Sequence, residues 1–196
     1  HKLRVNMAMK SIISTISIAI LLQGCVAAAV VGVVGGASVA TDNRSLGNQI
    51  DDQKIEIDAQ AKLSKSDALS DNTNLQVISV NGSVLVVGQA PNSYLRDQAI
   101  KAINEVNGVK QLHNQIRISN TTSFTTKTND VWLTSKVKTS LFGTDKLDAT
   151  NIKVVTENGE VFLMGLVTKA QADIAVDITR NVGGVNRVFK IFEYVE

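Results

Sequence analysis

Cysteine, proline and aromatic side chains are nearly missing from this chain: its 196 residues include one cysteine, one proline and only 4% aromatics. A single thiol, Cys25, cannot close an intramolecular disulfide, which excludes a disulfide scaffold. So few rings supply no stacking platform for single-stranded nucleic acid. Histidine occurs twice, at His1 and His113, and no Cys/His cluster has the spacing of a zinc site. Net charge is also small, at +2. Three basic residues, Lys2, Arg4 and Lys10, precede Cys25 with no acid among them, which leaves 17 basic against 18 acidic residues beyond it. That remainder has no basic field, so nucleic acid is not an expected partner.

The chain does have a basic start followed by the apolar stretch "SIISTISIAILL" and then Leu22-Gln23-Gly24-Cys25. A basic flank, a short apolar region and a small residue before the cut form a secretory signal pattern. Leucine three places before cysteine, with glycine just before it, resembles the lipobox of bacterial lipoproteins. That resemblance implies cleavage after residue 24 and acylation at Cys25, which makes the only thiol a lipid attachment point. The alternative is an uncleaved membrane anchor, because residues 11–41 carry no charge and are long enough to span a bilayer. The stretch "VAAAVVGVVGGASVA" is rich in glycine and alanine and lacks interfacial aromatics, which favours lipidation. More than one acyl chain gives stable anchoring. Val26 stands where aspartate would signal inner-membrane retention in the lipoprotein sorting pattern. The resemblance therefore implies the outer membrane, with the protein facing the periplasm.

Beyond the tether the chain repeats itself. "NGSVLVVGQA" at Asn81–Ala90 matches "NGEVFLMGLV" at Asn158–Val167, and "VNGV" at Val106–Val109 matches "VGGV" at Val182–Val185. Two landmarks with nearly one offset read as two tandem domains. In the second, Leu133, Val137 and Leu141 mark an amphipathic helix, capped by Asn129 or Asp130 and ended by Gly143. Asn158-Gly159 signals a tight hairpin between two β-rich runs. A further helix opens on Thr168 and carries Ala170, Ile174, Ala175, Ile178 and Val182, and a last strand follows from Val185. The first unit has the same order: a helix around Ile55, Ala59 and Leu63, strands near 75–80 and 84–89, a helix over 93–106 and a strand over 109–118.

This helix-strand-strand-helix-strand order, with its "NG-x-V" hairpin and "V-x-G-V" strand entry, resembles the BON domain of periplasmic and envelope proteins. The resemblance implies an α+β fold of two tandem αββαβ domains, each a three-stranded sheet packed with two helices. The expected organisation is a lipoprotein signal peptide over 1–24 and a lipidated N-terminus and tether over 25–47. BON domain 1 follows over 48–118, then a polar linker over 119–128 and BON domain 2 over 129–196. With its lipobox, the chain looks most like the dual-BON outer-membrane lipoproteins linked to envelope integrity and the division site.

No catalytic constellation is present in the sequence. His113 lies in a strand without a nearby nucleophile and reads as structural. Asp51, Asp52, Glu56 and Asp58 match no calcium-loop spacing and read as a solvated helix start. Gly82, Gly88, Gly159 and Gly165 read as residues of backbone conformation and close packing rather than a phosphate cradle. No enzyme activity, cofactor or metal is implied.

The helix over Val131–Phe142 carries more information. Its wheel puts Leu133, Val137, Ser140 and Leu141 on the core side, Trp132 at the edge of that side, and Val131 and Phe142 on the outer face. Lys136 follows Trp132 by one turn and Lys138 flanks the outer apolar pair. Exposed rings beside lysines suit a headgroup layer with anionic phosphates, although the wheel equally allows Trp132 to pack internally. The family resemblance favours anionic phospholipid binding by Val131, Trp132, Lys136, Lys138 and Phe142. The matching helix of domain 1 has no aromatic and several acids, so it should not share that role. The rival reading is a protein adaptor for an envelope machine such as the outer-membrane protein assembly complex.

Overall fold

A computed structural model describes residues 46–120 and 124–195. The signal peptide, the tether and Cys25 lie outside the described residues. Both repeats are organised around their Asn-Gly turns. Asn81 and Gly82 have φ of 55° and 80°, and Asn158 and Gly159 have 52° and 73°. Positive φ at both central residues matches the right-handed twist of the flanking strands, and asparagine and glycine tolerate it best. Each turn joins an antiparallel pair: β1 (Asn74–Val80) with β2 (Ser83–Ala90), and β4 (Ile152–Glu157) with β5 (Glu160–Val167).

A crossover helix then returns the chain so that the third strand runs parallel to the second. In the first repeat α3 (Ser93–Asn104) leads to β3 (Gln111–Ile118), and in the second α5 (Lys169–Arg180) leads to β6 (Arg187–Tyr194). α3 is capped by Asn92, whose side chain accepts from Leu95 N–H. α5 opens with a reciprocal capping box between Thr168 and Gln171. Each repeat also begins with a long helix, α1 (Leu46–Ser64) and α4 (Phe124–Phe142). The sheet orders are β1-β2-β3 and β4-β5-β6, so β2 and β5 are central.

Two features differ from the expected boundaries. α4 begins at Phe124, so the polar segment read as linker to residue 128 is partly helical. The first repeat also holds a third helix, α2 (Asp67–Asn72), where the second has only a 3-10 turn at Ala149–Asn151.

All eight residues of β2 are buried, and so are all of β5 except Leu166. A strand covered on both faces can be apolar throughout. Val84 and Val86 face Ile55, Ala59 and Leu63 of α1 and Leu95, Ala99 and Ile103 of α3. Val161 and Leu163 face Leu133, Val137 and Leu141 of α4 and Ala172 and Ala175 of α5. The alternate residues point the other way and meet across the repeats. Ile78, Val80, Leu85 and Val87 of the first sheet form a third core with Val155, Phe162, Met164 and Ile191 of the second. Phe162 stacks on Phe189 with centroids 4.8 Å apart.

The two sheets are therefore back to back, with helices outside, rather than two units joined only by a linker. The second face of each sheet is closed by the other sheet. Polar contacts frame that core. Glu160 pairs with Arg117 and with Arg187, Lys153 bonds Glu56 at 2.9 Å, and Gln89 donates to Glu157.

Of the four acids read as a solvated helix start, Asp52 serves another purpose. α1 begins at Leu46, so Asp52 lies inside the helix, and it is only 4% exposed. Its carboxylate accepts from Asn81 N–H at 2.7 Å, Gly82 N–H at 2.9 Å and the Ser79 hydroxyl at 2.7 Å. Asp130, expected as a helix cap, is 5% exposed and does the same in the second repeat, accepting from Asn158 and Gly159 N–H at 2.8 Å each. A helix-borne carboxylate thus closes each left-handed turn, whose amides point away from the sheet and need an acceptor.

Candidate membrane-contact site

Leu133, Val137 and Leu141 bury one stripe of α4 against the second sheet, and this spacing forces the intervening residues outward. Val131 is 69% exposed, Trp132 60% and Phe142 56%. Trp132 is therefore neither a core residue nor an interdomain contact. Ser140, placed by the wheel on the core side, is exposed. It lies toward α5, where Ser135, Lys136 and Thr139 border an open groove with Asn181 and Gly183.

The structure divides the five expected contact residues between two flanks of α4. On the α5 flank the Lys136 ammonium sits 3.9 Å from the Trp132 ring centroid and donates to the Gly183 carbonyl. The cation is held over the ring face by its quadrupole and fixed at the other end by the backbone. On the opposite flank Val131, Lys138 and Phe142 border β4, with Phe142 and Lys138 beside Ile152 and Val154. Sequence reading found the two lysines but missed the Gly183 clamp, which depends on a loop 47 residues away. The "VGGV" landmark marks that loop without revealing what it would meet.

α1 lacks this arrangement. Ile50 and Ile57 are exposed on it, but Lys54 between them is ion-paired with Asp58 at 3.7 Å. His113 lies on the sheet face between the repeats, and partial burial lowers its pKa from the usual 6.5. Among the described residues no three His, Cys, Asp or Glu side chains cluster as metal ligands, and no helix is long and apolar enough to cross a membrane.

Two αββαβ units of this kind, matched over residues 51–120 and 129–194, place the chain in the BON-domain family. It is a dual BON-domain protein of the α+β class. Its particular likeness is to the outer membrane lipoprotein DolP of Haemophilus influenzae, with 41% identity over 177 residues covering 90% of this chain and 92% of that one. The 21 kDa hemolysin of Actinobacillus pleuropneumoniae is 39% identical over 155 residues, covering 79% of this chain and 80% of that one. The osmotically-inducible protein Y of Escherichia coli is 29% identical over 161 residues, covering 78% and 77%.

Proposed function

We propose that this chain is a non-enzymatic outer-membrane lipoprotein, anchored through Cys25, that contacts anionic phospholipid with α4 and supports envelope integrity at the division site. The similarity to the DolP lipoprotein supports the anchor and the compartment. The observation that carries the lipid contact is the exposed Trp132 with the Lys136 ammonium clamped over its ring. An ammonium has three donors, and one is given to Gly183, so two remain for a phosphate. The indole enters the headgroup layer with its apolar body, and the cation beside it is already positioned.

A lysine near an anionic surface contributes about 1 kcal/mol, weakened by salt within a Debye length of about 8 Å. Two lysines and one ring give a weak, reversible contact. That is sufficient when an acyl anchor keeps the effective concentration at the bilayer high. Co-sedimentation of residues 46–196 with phosphatidylglycerol vesicles tests the reading. Trp132→Glu should abolish binding and leave the circular dichroism and melting temperature unchanged. Binding equal to wild type would refute it.

A further inference from the structure

Glycine follows asparagine three times in this chain, at Asn81-Gly82, Asn107-Gly108 and Asn158-Gly159. In such a pair the next peptide nitrogen reaches the side-chain amide carbon with least hindrance, because glycine has no Cβ in the way. The fold treats the three pairs differently. In both hairpin turns the glycine is buried and its N–H is engaged, Gly82 by Asp52 at 2.9 Å and Gly159 by Asp130 at 2.8 Å. The asparagine N–H groups are bound to the same carboxylates, and the Asn81 side-chain oxygen also accepts from Asn48 at 3.4 Å. Those glycine nitrogens cannot turn toward a side-chain carbon without leaving a charged acceptor in a closed site.

The third pair has none of these restraints. Asn107 and Gly108 are exposed in the turn between α3 and β3, and the Gly108 N–H has no hydrogen-bond partner among the described residues. The turn is closed by the bond from Val109 N–H to the Val106 carbonyl, at 3.3 Å. Asn107 borders a depression of about 320 Å³ with Asp51, Lys54 and Lys110, which admits water to its amide. On its inner side the same turn is tightly seated. Val106 is buried in the first core, a Cβ at Gly108 would lie 2.9 Å from Ile55 Cδ1, and Lys110 N–H donates to the Gly82 carbonyl at 2.9 Å. The second repeat has Gly183 at the matching place, so its Val182–Val185 turn, which holds Lys136, lacks a reactive amide.

We infer that Asn107 is a site of self-modification by deamidation, and that its conversion loosens the first repeat. The Gly108 nitrogen attacks the Asn107 Cγ and gives up its proton. An N–Cγ bond forms, the Cγ–Nδ2 bond breaks, and the amide leaves as ammonia. Water then opens the cyclic imide. Cleavage between the ring nitrogen and Cγ yields aspartate, and cleavage between that nitrogen and the main-chain carbonyl carbon of Asn107 yields isoaspartate. No electron is gained or lost, and water is the only co-reactant. Isoaspartate routes the backbone through the side chain and lengthens it by a methylene, in a turn already seated against Ile55 and Gly82. The inference goes beyond the phospholipid reading and uses none of its residues.

The test is incubation of the full chain, held in detergent micelles in mildly alkaline buffer, followed by peptide mass spectrometry with fragmentation that separates aspartate from isoaspartate. Asn107 should convert at least about tenfold faster than Asn81 and Asn158, since each of those must first give up a bond to a charged acceptor. Both products should appear at residue 107, and the rate should rise with pH, because the attacking nitrogen must lose its proton. In unfolding urea the three rates should converge, which ties the difference to the fold. Asn107→Gly, which copies Gly183, should show no conversion in that turn. Its urea midpoint should stay constant through the incubation, while that of the wild-type chain falls.

Conversion of Asn81 or Asn158 as fast as Asn107 in the folded chain overturns the inference, as does an intact Asn107 after the unfolded chain has been converted. Aspartate at residue 107 without isoaspartate would mean direct hydrolysis by water instead of attack by Gly108, and overturns it too. A converted chain with an unchanged urea midpoint overturns the loosening. Asn107→Gly leaves Trp132, Lys136 and Gly183 in place and should bind phosphatidylglycerol vesicles as wild type does, so failure here is distinguishable from failure of the lipid reading.

Discussion

Replacing Asp130 by alanine tests the idea that buried helix carboxylates hold the hairpin turns. The substitution removes the acceptor of two backbone amides, Asn158 N–H and Gly159 N–H, at a site closed to solvent. Hydrogen bonds to a charged acceptor contribute about 1.5–3 kcal/mol each, and a buried amide left without a partner costs about 1–3 kcal/mol. Some of this is recovered as the turn relaxes toward water, so a net loss of about 3–4 kcal/mol is expected. Against a total stability of about 5–15 kcal/mol this is a large fraction. Urea unfolding of residues 46–196 followed by circular dichroism measures it. With an m-value of about 2 kcal/mol per molar, the midpoint should fall by about 1.5–2 M at unchanged slope. Asp130→Asn should lose less than alanine, because one carbonyl oxygen still accepts while its amide faces the other donor. Asp52→Ala should lose more, since the Ser79 hydroxyl is orphaned as well. A loss below about 1 kcal/mol for Asp130→Ala would refute the turn-holding role, because it would mean that water or a neighbour satisfies both amides.

Phe162→Ala should cost about 3–5 kcal/mol, because its ring is buried between the sheets against Phe189; chemical denaturation would show it, and a loss under about 1 kcal/mol would place the two sheets apart. A fragment starting near Thr126 should have a lower denaturant midpoint than the two-repeat chain and should bind a hydrophobic dye, since Val155, Phe162, Met164 and Ile191 lose their cover; an equal midpoint would show that the shared core is dispensable. Gly88→Ala should destabilise strongly, as a Cβ there would lie 1.9 Å from the Asn74 carbonyl oxygen at a φ of +126°; a melting temperature equal to wild type would contradict that geometry. His113 is held below its usual 6.5 by burial, so the folded state binds its proton less readily than the unfolded chain. Stability should therefore fall as pH drops through about 6.5, and His113→Gln should flatten that part of the pH–stability curve.

The repeat, the element order and the family were legible because they rest on local chemistry. Asn-Gly turns, glycine-ended helices and period-matched apolar residues act within a few residues of one another, so the pattern survives without knowledge of the fold. The outer face of α4 was readable for the same reason, since Leu133, Val137 and Leu141 fix which residues must point away. Pairings between distant segments were not readable. Asp52 and Asp130 looked like ordinary helix acids because their partners, the turn amides, lie 28 to 30 residues away and are backbone groups that leave no mark in the sequence. Apolar residues on both faces of β2 and β5 announced burial but could not say that each sheet covers the other, because hydrophobic burial is non-directional and any apolar surface would serve. The same limit applied to α4. Helical spacing exposed Trp132 and Lys136 together, but only the packing of α5 and its following loop brought the Gly183 carbonyl to the ammonium, and only sheet order left β4 at an edge.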